Sequence, residues 1–420
     1  MVDRFAAPKL SFVTQALNDR QTEQRLRTLR QIEPLGEGKV RCEAKTLLNF
    51  SGNDYLGLSQ HPAVMAQARD YLDRYGAGAG ASRLVTGTLE IHEQLEADFA
   101  TFLNREAALL FNTGFQANST LLPTLFDRSS LILCDRLVHN SLLQGIRASQ
   151  AQFIRYRHND LEHLEYCLKQ SQGVNQNPSP SLNEKLNQPH KPYNRIGIVT
   201  ETLFSMDGDR VDVGALVALA DRYNAWLYLD DAHGVGVLGD QGQGLAAPHP
   251  EVDVTIVTLG KAFGSFGAIV GCSERLKTYW INTCPGLIYT TALPPATIGA
   301  IQGALDLMPH LDSERTYLHQ QGVNLHQHLL HQHLQELGYT TSPDPSHILP
   351  IRLHSPAQAL ALAQALEDQG ILATAIRSPT VPPGSDRVRL TLSSIHPPAH
   401  YQVLTQALTQ ALTQALPCVY

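Results

Sequence analysis

The sequence has few cysteines, few aromatic residues and no long apolar run. Its six cysteines are scattered, at positions 42, 134, 167, 272, 284 and 418, and no two of them form a CxxC pair. This pattern indicates reduced, mostly structural thiols in a cytosolic protein. No run of about 18 apolar residues is present, so no transmembrane helix is expected. Residues 1–13 also lack the apolar core of a signal peptide, which predicts a cytoplasmic location.

The chain also lacks an excess of positive charge. Its formal net charge is −7 at pH 7, which argues against a surface that binds nucleic acid. Its 420 residues, 43% of them hydrophobic, are enough for one large and one or two smaller globular domains. We therefore expect a globular protein that has neither nucleic acid nor a membrane as its partner.

The most informative stretch of the sequence contains a lysine at a strand end. Residues 254–258 (VTIVT) form a β-branched run that predicts a buried strand. The next segment, 259–264 (LGKAFG), places Lys261 among small residues that let a flat ligand approach the backbone. Such a lysine can form a Schiff base with an aldehyde cofactor when burial keeps its amine partly unprotonated. A surface lysine in a glycine-rich turn is the alternative interpretation.

A second apolar strand ends in two carboxylates and a histidine. Residues 226–230 lead into Asp230, Asp231 and His233. Pyridoxal phosphate (PLP) needs an anion beside its ring nitrogen and donors near its phenolic oxygen, and this strand end supplies both. An Asp-Asp pair could instead hold a metal ion. No second acidic cluster or ladder of histidines accompanies it, so no metal site is predicted.

The alternation of strands and helices defines the fold class. Strands alternate with helices between residues 105 and 270, which predicts an α/β fold with a mainly parallel sheet covered on both faces. Ligands of such sheets bind at the carboxyl ends of the strands. Three segments are predicted: an N-terminal helix with short strands at 1–49, a large cofactor-binding domain at 50–290, and a small α+β domain at 291–420. The small domain is expected to contain strands near 348–353 and 388–392 and helices near 356–369 and 397–416.

Near the N-terminus, residues 14–31 are expected to form a surface helix with a basic C-terminal end. This helix would carry Arg25, Arg27 and Arg30. The glycines of segment 36–38 are expected to break it, and two short strands would follow, near 40–44 and 45–50.

Two later segments carry no predicted chemistry. The polar stretch 170–195 is predicted to be a long, mobile surface insertion rather than a domain. A helical stretch up to about residue 337 carries histidines at 319, 326, 328, 331 and 333. They are interpreted as a polar helix face, because no acidic partner recurs at the spacing of metal ligands.

Six short motifs stand in the order found in a known enzyme family. They are residues 53–58 (NDYLGL), 114–115 (GF), 135–139 (DRLVH), 205–208 (SMDG), 230–234 (DDAHG) and 258–264 (TLGKAFG). Together they resemble the α-oxoamine synthases, fold-type I PLP-dependent enzymes that join an amino acid to an acyl thioester. The resemblance covers nearly the whole chain. It implies PLP as cofactor and a homodimer with active sites at the subunit interface.

The resemblance also implies roles for residues around the cofactor. Lys261 would carry PLP as a Schiff base and later move the substrate's Cα proton, and Asp230 would pair with the pyridinium nitrogen. The other implied cofactor contacts are His233 and Ser205 on the phenolic-oxygen side, His139 stacked on the ring, and Gly114, Phe115 and Thr258 near the ring and phosphate. His139 and His233 join Lys261 and Asp230 as implied catalytic residues.

Further implied residues bind the substrate. Arg389 would hold the amino-acid carboxylate through its fork of donors. Asn53, His139 and Thr380 would line the substrate site. Arg27 falls where the family has a substrate-binding arginine, although Arg25 and Arg30 lie close by in the sequence.

The C-terminal segments indicate a branch of the family. Residues 375–382 (AIRSPTVP) and 387–392 (RVRLTL) resemble the branch that condenses L-alanine with a pimeloyl thioester. Either coenzyme A or an acyl carrier protein could carry the acyl group. The alternatives are glycine-using members, 2-amino-3-ketobutyrate ligase and 5-aminolevulinate synthase, and a PLP-binding protein without this catalysis.

Overall fold

A computed structural model describes residues 8–172, 193–331 and 345–415 of the chain. Its strands are β1 Ile32–Gly36, β2 Lys39–Cys42, β3 Lys45–Asn49, β4 Ala107–Phe111, β5 Ser130–Asp135, β6 Gln152–Tyr156, β7 Arg195–Glu201, β8 Trp226–Asp230, β9 Val254–Thr258, β10 Ala268–Cys272, β11 Ile348–Arg352, β12 Ile371–Leu372, β13 Thr374–Ile376 and β14 Arg387–Thr391. Its helices are α1 Ser11–Thr22, α2 Pro62–Tyr75, α3 Glu90–Phe102, α4 Gly114–Leu125, α5 Asn140–Ser149, α6 Leu161–Ser171, α7 Val213–Tyr223, α8 Glu274–Thr283, α9 Pro285–Ile288, α10 Pro295–Leu307, α11 Asp312–His331, α12 Pro356–Glu367 and α13 Pro398–Ala415. Across the residues described, no helix combines the length and apolarity needed to cross a membrane.

The chain divides into two compact units. The larger comprises the described residues of 53–205 and 209–316, and the smaller those of 1–52, 206–208 and 317–420. These bounds differ from the predicted segments because α10 packs on α2 inside the larger unit. The two helices lie so close that a Cβ on Gly299 of α10 would clash with the backbone of Gln67 in α2. The predicted division into three domains stays a prediction.

The larger unit is built on a seven-stranded sheet of order β4-β10-β9-β8-β7-β5-β6. The strands from β9 to β6 pair in parallel. β10 runs antiparallel to both of its neighbours, β4 and β9. The predicted mainly parallel sheet is therefore confirmed, and β10 is a strand that the sequence pattern did not indicate. The parallel order brings the carboxyl ends of β5, β7, β8 and β9 to one edge.

Apolar side chains cover both faces of this sheet. One cluster joins strand residues to Leu121 of α4, Ile146 of α5 and Trp280 of α8. The other joins strand residues to Leu164 of α6 and Leu216 of α7. Strands buried on both faces read as continuous apolar runs, which explains why their positions were predictable from β-branched and aliphatic residues.

The smaller unit contains two sheets. One has the order β1-β2-β3-β12 and the other the order β11-β14-β13. β14 is fully buried and pairs antiparallel with both β11 and β13. The predicted strands near 348–353 and 388–392 and the helices near 356–369 and 397–416 are thus present, whereas β1, β12 and β13 were not predicted.

The N-terminal helix is shorter than predicted. α1 ends at Thr22, and Gln24 takes a left-handed backbone with φ of 55°. The Arg25 N–H then bonds the Arg20 carbonyl and closes the helix end. The prediction that one helix carries Arg25, Arg27 and Arg30 is therefore wrong. The glycines of segment 36–38 turn the chain from β1 into β2 instead of breaking a helix.

The helical stretch predicted up to residue 337 consists of two helices. α10 ends at Leu307, a 3-10 turn Met308–His310 follows, and α11 starts at Asp312. Pro309 lies in this turn, and a proline removes the N–H that a continuous helix would need. The end of the predicted stretch and most of the predicted 170–195 insertion lie outside the described residues.

The histidines of α11 do not share one polar face. His319 is exposed, but His326 is buried at 8% exposure beside Leu325 and Leu329 at helical spacing. The prediction of a polar face is therefore wrong for His326. The side chain of His331 and the whole of His333 lie outside the described residues. Among the residues described, no group of three or more His, Cys, Asp or Glu side chains is placed to hold a metal ion.

Candidate active site

Four neighbouring strands of the larger unit deliver polar side chains to one edge. His139 follows β5, Glu201 ends β7, Asp230 ends β8, and Lys261 follows β9. Glu201 and Asp230 are direct register partners in the ladder of β7 and β8. Because parallel strands place their carboxyl ends together, residues far apart in the sequence meet here.

Lys261 begins a chain of hydrogen bonds. Its Nζ lies 2.8 Å from Nε2 of His233, and Nδ1 of His233 lies 2.6 Å from the hydroxyl of Tyr55. The Tyr55 hydroxyl also donates to Oδ1 of Asn53 at 3.2 Å. His233 and Tyr55 are buried, at 5% and 0% exposure. A partly buried amine is thus joined to an imidazole that can accept or return its proton.

Asp230 is held by a network of neutral donors. Its Oδ2 accepts a hydrogen bond from Nδ2 of Asn118 at 2.8 Å, and its Oδ1 accepts from the Ala232 N–H at 3.1 Å. Asn118 is fixed in turn, since its Oδ1 accepts from the Tyr228 hydroxyl and its Nδ2 also reaches Ser141 Oγ. The network orients a buried carboxylate without neutralising it by a cation.

The main chain around His139 is anchored by Glu201. Oε1 of Glu201 accepts from the His139 N–H at 2.6 Å, and the N–H of Ser205 also donates to this carboxyl. The His139 ring is oriented by Ser141, whose Oγ lies 2.8 Å from Nδ1. One buried side chain thus links the loop after β5 to the turn after β7, which carry two of the predicted cofactor contacts.

The charges at this edge influence one another. Desolvation lowers the pKa of His139 from its ordinary value, against the charge of Asp230 and together with that of Lys261. Burial and the charge of Asp230 raise the pKa of Glu201 to about 8, against the opposing effect of Lys261. His139 is therefore uncharged near neutral pH and able to lie flat on an aromatic ring.

The start of α4 lies against the end of β9. Thr113 caps the helix, with Oγ1 accepting from the Gln116 N–H at 3.0 Å. The first N–H groups of a helix have no intrahelical acceptor and attract phosphate. A Cβ on Gly114 would lie 2.4 Å from Cγ2 of Thr258, so only glycine lets the helix start approach this closely. Phe115 follows with half of its surface exposed.

Replacing Gly114 by alanine is therefore expected to disturb this helix start. The added methyl group would force α4 away from Thr258, and we expect a loss of about 1–3 kcal/mol in the free energy of unfolding, as for other overpacked sites. Chemical denaturation of the PLP-free protein measures this change. Gly78, whose added Cβ would meet nothing within 4 Å, provides the control variant Gly78→Ala, which should unfold like the parent.

Comparison with known proteins identifies the family of this chain. Residues 45–408 match the aminotransferase class I and II family. A putative 8-amino-7-oxononanoate synthase of Paramagnetospirillum magneticum is 47% identical over 89% of this chain and 90% of its own length. An 8-amino-7-oxononanoate synthase of Gluconacetobacter diazotrophicus is 45% identical over 92% of this chain and 93% of its own. The chain belongs to the 8-amino-7-oxononanoate synthase family.

Solved structures agree with the fold of this family. The crystal structure of an 8-amino-7-oxononanoate synthase from Francisella tularensis is 26% identical, with a TM-score of 0.70 over 87% of this chain and 98% of that chain. A serine palmitoyltransferase from S. paucimobilis, solved with a bound PLP–myriocin aldimine, shares the fold at 23% identity, with a TM-score of 0.84 over 98% of this chain and 99% of that chain. The predicted fold-type I fold, the PLP cofactor and the acyltransferase class are thereby confirmed.

The residues of the larger unit fit PLP on their own chemistry. An amine, a buried carboxylate and an uncharged imidazole are the groups that an aldehyde, a pyridinium nitrogen and an aromatic ring require. The missing side chain of Gly114 lets the start of α4 approach Thr258 closely. The free N–H groups of this helix start suit a phosphate group. Lys261, Asp230, His139 and the helix start are therefore the groups that would hold the cofactor. Ser205 and His233 remain predicted contacts on its phenolic-oxygen side.

Three predicted substrate residues belong to the smaller unit. Arg27 donates from Nη2 to Oγ1 of Thr380 at 2.7 Å, so two residues predicted separately are in contact. Arg25 and Arg30 have other partners, because they pair with Glu23 and Glu367. Arg389 lies on β14 and is 9% exposed. Their roles toward substrate remain predictions.

Several residues of the site were not predicted. Tyr55 lies inside the NDYLGL motif, but nothing in that motif indicated its bond to His233. Asn118 sits within helix α4, where its polar side chain reads as a surface residue. Glu201 could have been suspected, because a glutamate that ends an apolar run of a buried strand must find donors. In the smaller unit, Asp207 accepts from Arg387 at 2.7 Å and also from Arg352, an ion-pair group that sequence spacing does not reveal.

Proposed function

We propose that this chain condenses L-alanine with a pimeloyl thioester, releasing CO2 and the thiol carrier, to give 8-amino-7-oxononanoate for biotin biosynthesis. The observation that carries the proposal is the 2.8 Å contact of Lys261 Nζ with His233 Nε2, beside the buried Asp230. The names of the relatives at 45% and 47% identity support the choice of product within the family.

When bound, PLP supplies an aldehyde for amine exchange and a ring that stores an electron pair. Lys261 would hold that aldehyde, and its amine, once free, would take the Cα proton at Nζ. Asp230 would pair with the ring nitrogen and keep it protonated. His139 would cover the ring face and exclude water from it.

The chain of Lys261, His233 and Tyr55 explains how the amine can change its protonation state. When Lys261 is an ammonium it donates to Nε2, so Nδ1 of His233 carries the hydrogen and donates to Tyr55. When Lys261 has passed its proton to Nε2 of His233, the imidazolium donates from Nε2–H to Nζ and still donates from Nδ1–H to Tyr55, whose hydroxyl keeps its bond to Asn53. Either arrangement satisfies every group, so a proton can pass between Lys261 and His233 without leaving an unpaired buried donor.

The substrate contacts complete the proposal. Arg389 is proposed to bind the alanine carboxylate with two parallel N–H donors. Arg27, together with Thr380, is proposed to bind substrate through the guanidinium and hydroxyl groups that already contact each other. Asn53, whose side chain meets Tyr55, is proposed to lie near the substrate on the Lys261 side.

We also propose that two copies of the chain associate. Large apolar side chains of the larger unit are exposed, including Phe115 at 50%, Phe266 at 53% and Tyr289 at 84%. The proposal rests on the family resemblance, and these side chains are candidates for the surface that the partner would cover. A second copy of the chain is the proposed partner.

The deciding experiment is a titration of the holoenzyme followed by its visible absorbance. L-Alanine is expected to shift the cofactor band at lower concentration than glycine, and pimeloyl thioester added afterwards is expected to release CO2 and free thiol in equal amounts. Pimeloyl-CoA and pimeloyl-acyl carrier protein are compared as separate donors. A response to glycine with no response to alanine would contradict the proposed amino acid while leaving the family intact.

A further inference from the structure

A histidine outside the candidate site bridges two carboxylates. His158, two residues after β6, places Nδ1 3.0 Å from Oδ1 of Asp135 and Nε2 3.0 Å from Oδ2 of Asp209. Its ring also meets the ring of Phe204 edge-on, with centroids 4.4 Å apart. The Asp135 side chain is fully buried, and that of Asp209 is 11% exposed.

Each carboxylate belongs to a loop that leads to the candidate site. Asp135 ends β5, and its Oδ1 also accepts from the Leu137 N–H at 2.7 Å, on the way to His139. The carbonyl of Asp209 accepts from the Phe204 N–H at 3.0 Å and closes the turn that contains Ser205. His158 therefore connects the start of the segment that leads to His139 with the end of the turn that contains Ser205.

The neighbouring residue, Asn159, repeats this connection. Its N–H donates to Oδ2 of Asp135 at 2.8 Å, and its side-chain amide donates to the carbonyl of Arg210 at 2.7 Å. His158 and Asn159 thus both connect Asp135 to the segment 209–210, His158 through its ring and Asn159 through its backbone N–H and its side-chain amide.

The partners of His158 determine its charge. Nδ1 is hydrogen-bonded to Asp135, whereas Nε2 pairs with Asp209 by charge at 3.0 Å without a well-aligned hydrogen bond. Ionised carboxylates only accept hydrogen bonds, so an imidazolium suits both contacts. Burial alone would lower the pKa of His158, but the hydrogen bonds and charges of Asp135 and Asp209 outweigh it and raise the pKa to about 10. Asp135 and Asp209 are the charged groups that act on His158 in this way.

We propose that His158 is a positioning residue, whose imidazolium holds the loop of His139 and the turn of Ser205 at the spacing that cofactor binding requires. The inference rests on the predicted cofactor contacts of His139 and Ser205. It does not depend on which amino acid or thioester the enzyme uses.

The first test compares PLP binding by His158→Ala with binding by the parent. The PLP dissociation constant of the variant should rise about tenfold or more, because misplaced contacts of this kind cost binding and rate steeply. Thermal unfolding of both PLP-free proteins is measured alongside, so that a loss of stability is separated from a loss of cofactor positioning. His319→Ala, at an exposed histidine of α11, is the matched control and should bind PLP like the parent.

The second test uses Asp209→Asn, which keeps the size of the side chain and an acceptor for Nε2–H but removes one charge. With one carboxylate left, His158 should titrate closer to its ordinary pKa of about 6.5. The ratio of variant to parent PLP dissociation constants should then be near one at about pH 5.5 and rise about tenfold by about pH 8.5. Using the ratio cancels the titration of PLP and of groups shared by both proteins.

These two tests have defined opposing outcomes. Parent-like PLP binding by a folded His158→Ala protein would overturn the proposal. If that variant does not fold, a pH-independent ratio for Asp209→Asn would overturn it instead. Both tests measure PLP binding and not turnover. Their results can therefore be interpreted even if alanine and the pimeloyl thioester prove not to be the substrates.

Discussion

Lys261→Ala protein is expected to lose at least about 10⁴-fold in kcat/KM, because the same side chain binds the cofactor aldehyde and removes the Cα proton. His233, 2.8 Å from Nζ of Lys261, can exchange a proton with this amine. The methyl side chain of the variant has no group that can take over either role. The variant should still bind PLP through the remaining contacts, but without a covalent link. Steady-state kinetics measures the first effect, and borohydride reduction followed by peptide mass spectrometry measures the second.

Lys169→Ala is the control for this experiment. Lys169 lies on the surface of α6, where it pairs with Glu165 at 3.1 Å, and surface pairs of this kind contribute little. Its variant should retain parental kinetics, and reduction of the parent should modify Lys261 and not Lys169. Turnover by Lys261→Ala near the parental rate would refute the assignment of the reactive lysine.

The positions of Lys261 and Asp230 could be predicted because Asp230 ends, and Lys261 closely follows, a strand that is almost entirely buried. Parallel strands read as continuous apolar runs, so their ends are visible in the sequence. Strand alternation then predicts that these ends meet at one edge of the sheet. His139 and Arg389 were instead assigned from the family resemblance, and Arg389 lies in the middle of the antiparallel strand β14.

The partners of those residues could not be predicted in the same way. The bond between Tyr55 and His233 joins residues 178 positions apart, and the bond between Asn118 and Asp230 joins residues 112 positions apart. Neither pair has a spacing that a strand or helix period imposes. The antiparallel strand β10 was also not predicted, although all five of its residues are buried.

The N-terminal arginines show where local pattern reasoning fails. The polar composition of residues 14–31 is compatible with a helix throughout, yet α1 stops at Thr22. The left-handed backbone at Gln24 and the hydrogen bond from the Arg25 N–H to the Arg20 carbonyl end the helix. No glycine or proline near residue 22 indicates this end in the sequence. The contact between Arg27 and Thr380 exists only because the chain leaves the helix before Arg27.

Asp230→Asn is expected to lower kcat by about 10²–10³-fold, as for other groups that stabilise charge developing in the reaction. A neutral amide cannot hold the cofactor ring nitrogen protonated, so the ring would accept electrons poorly. The substitution also leaves one of the two donors to the carboxylate, Asn118 Nδ2–H or the Ala232 N–H, facing the new amide NH2 group. PLP affinity should therefore fall together with kcat, and both can be measured on the same preparation.

The adjacent residue, Asp231, provides a matched comparison. Its side chain is also buried, at 0% exposure. Its oxygens, however, accept hydrogen bonds from the Thr202 hydroxyl and from the N–H groups of Leu245 and Ala246. Asparagine can keep the two backbone bonds with its oxygen and donate its amide to Thr202, whose hydroxyl also accepts. Asp231→Asn should therefore retain kcat within about threefold, since the hydrogen-bond pattern survives.

Loss of the Asp231 charge is also expected to affect the free energy of unfolding. Burial raises the pKa of Asp231 to about 6, so this group lowers stability as the pH rises from its ordinary pKa of about 4 to about 6, and the full cost is present at higher pH. Asp231→Asn removes that cost, and the variant should be no less stable than the parent at about pH 8. Denaturation curves at pH 8, set beside the kinetics of both variants, test the comparison. Equal losses of kcat in the two variants would show that the carboxylates act as one unit, and the assignment of the ring-nitrogen partner to Asp230 alone would be wrong.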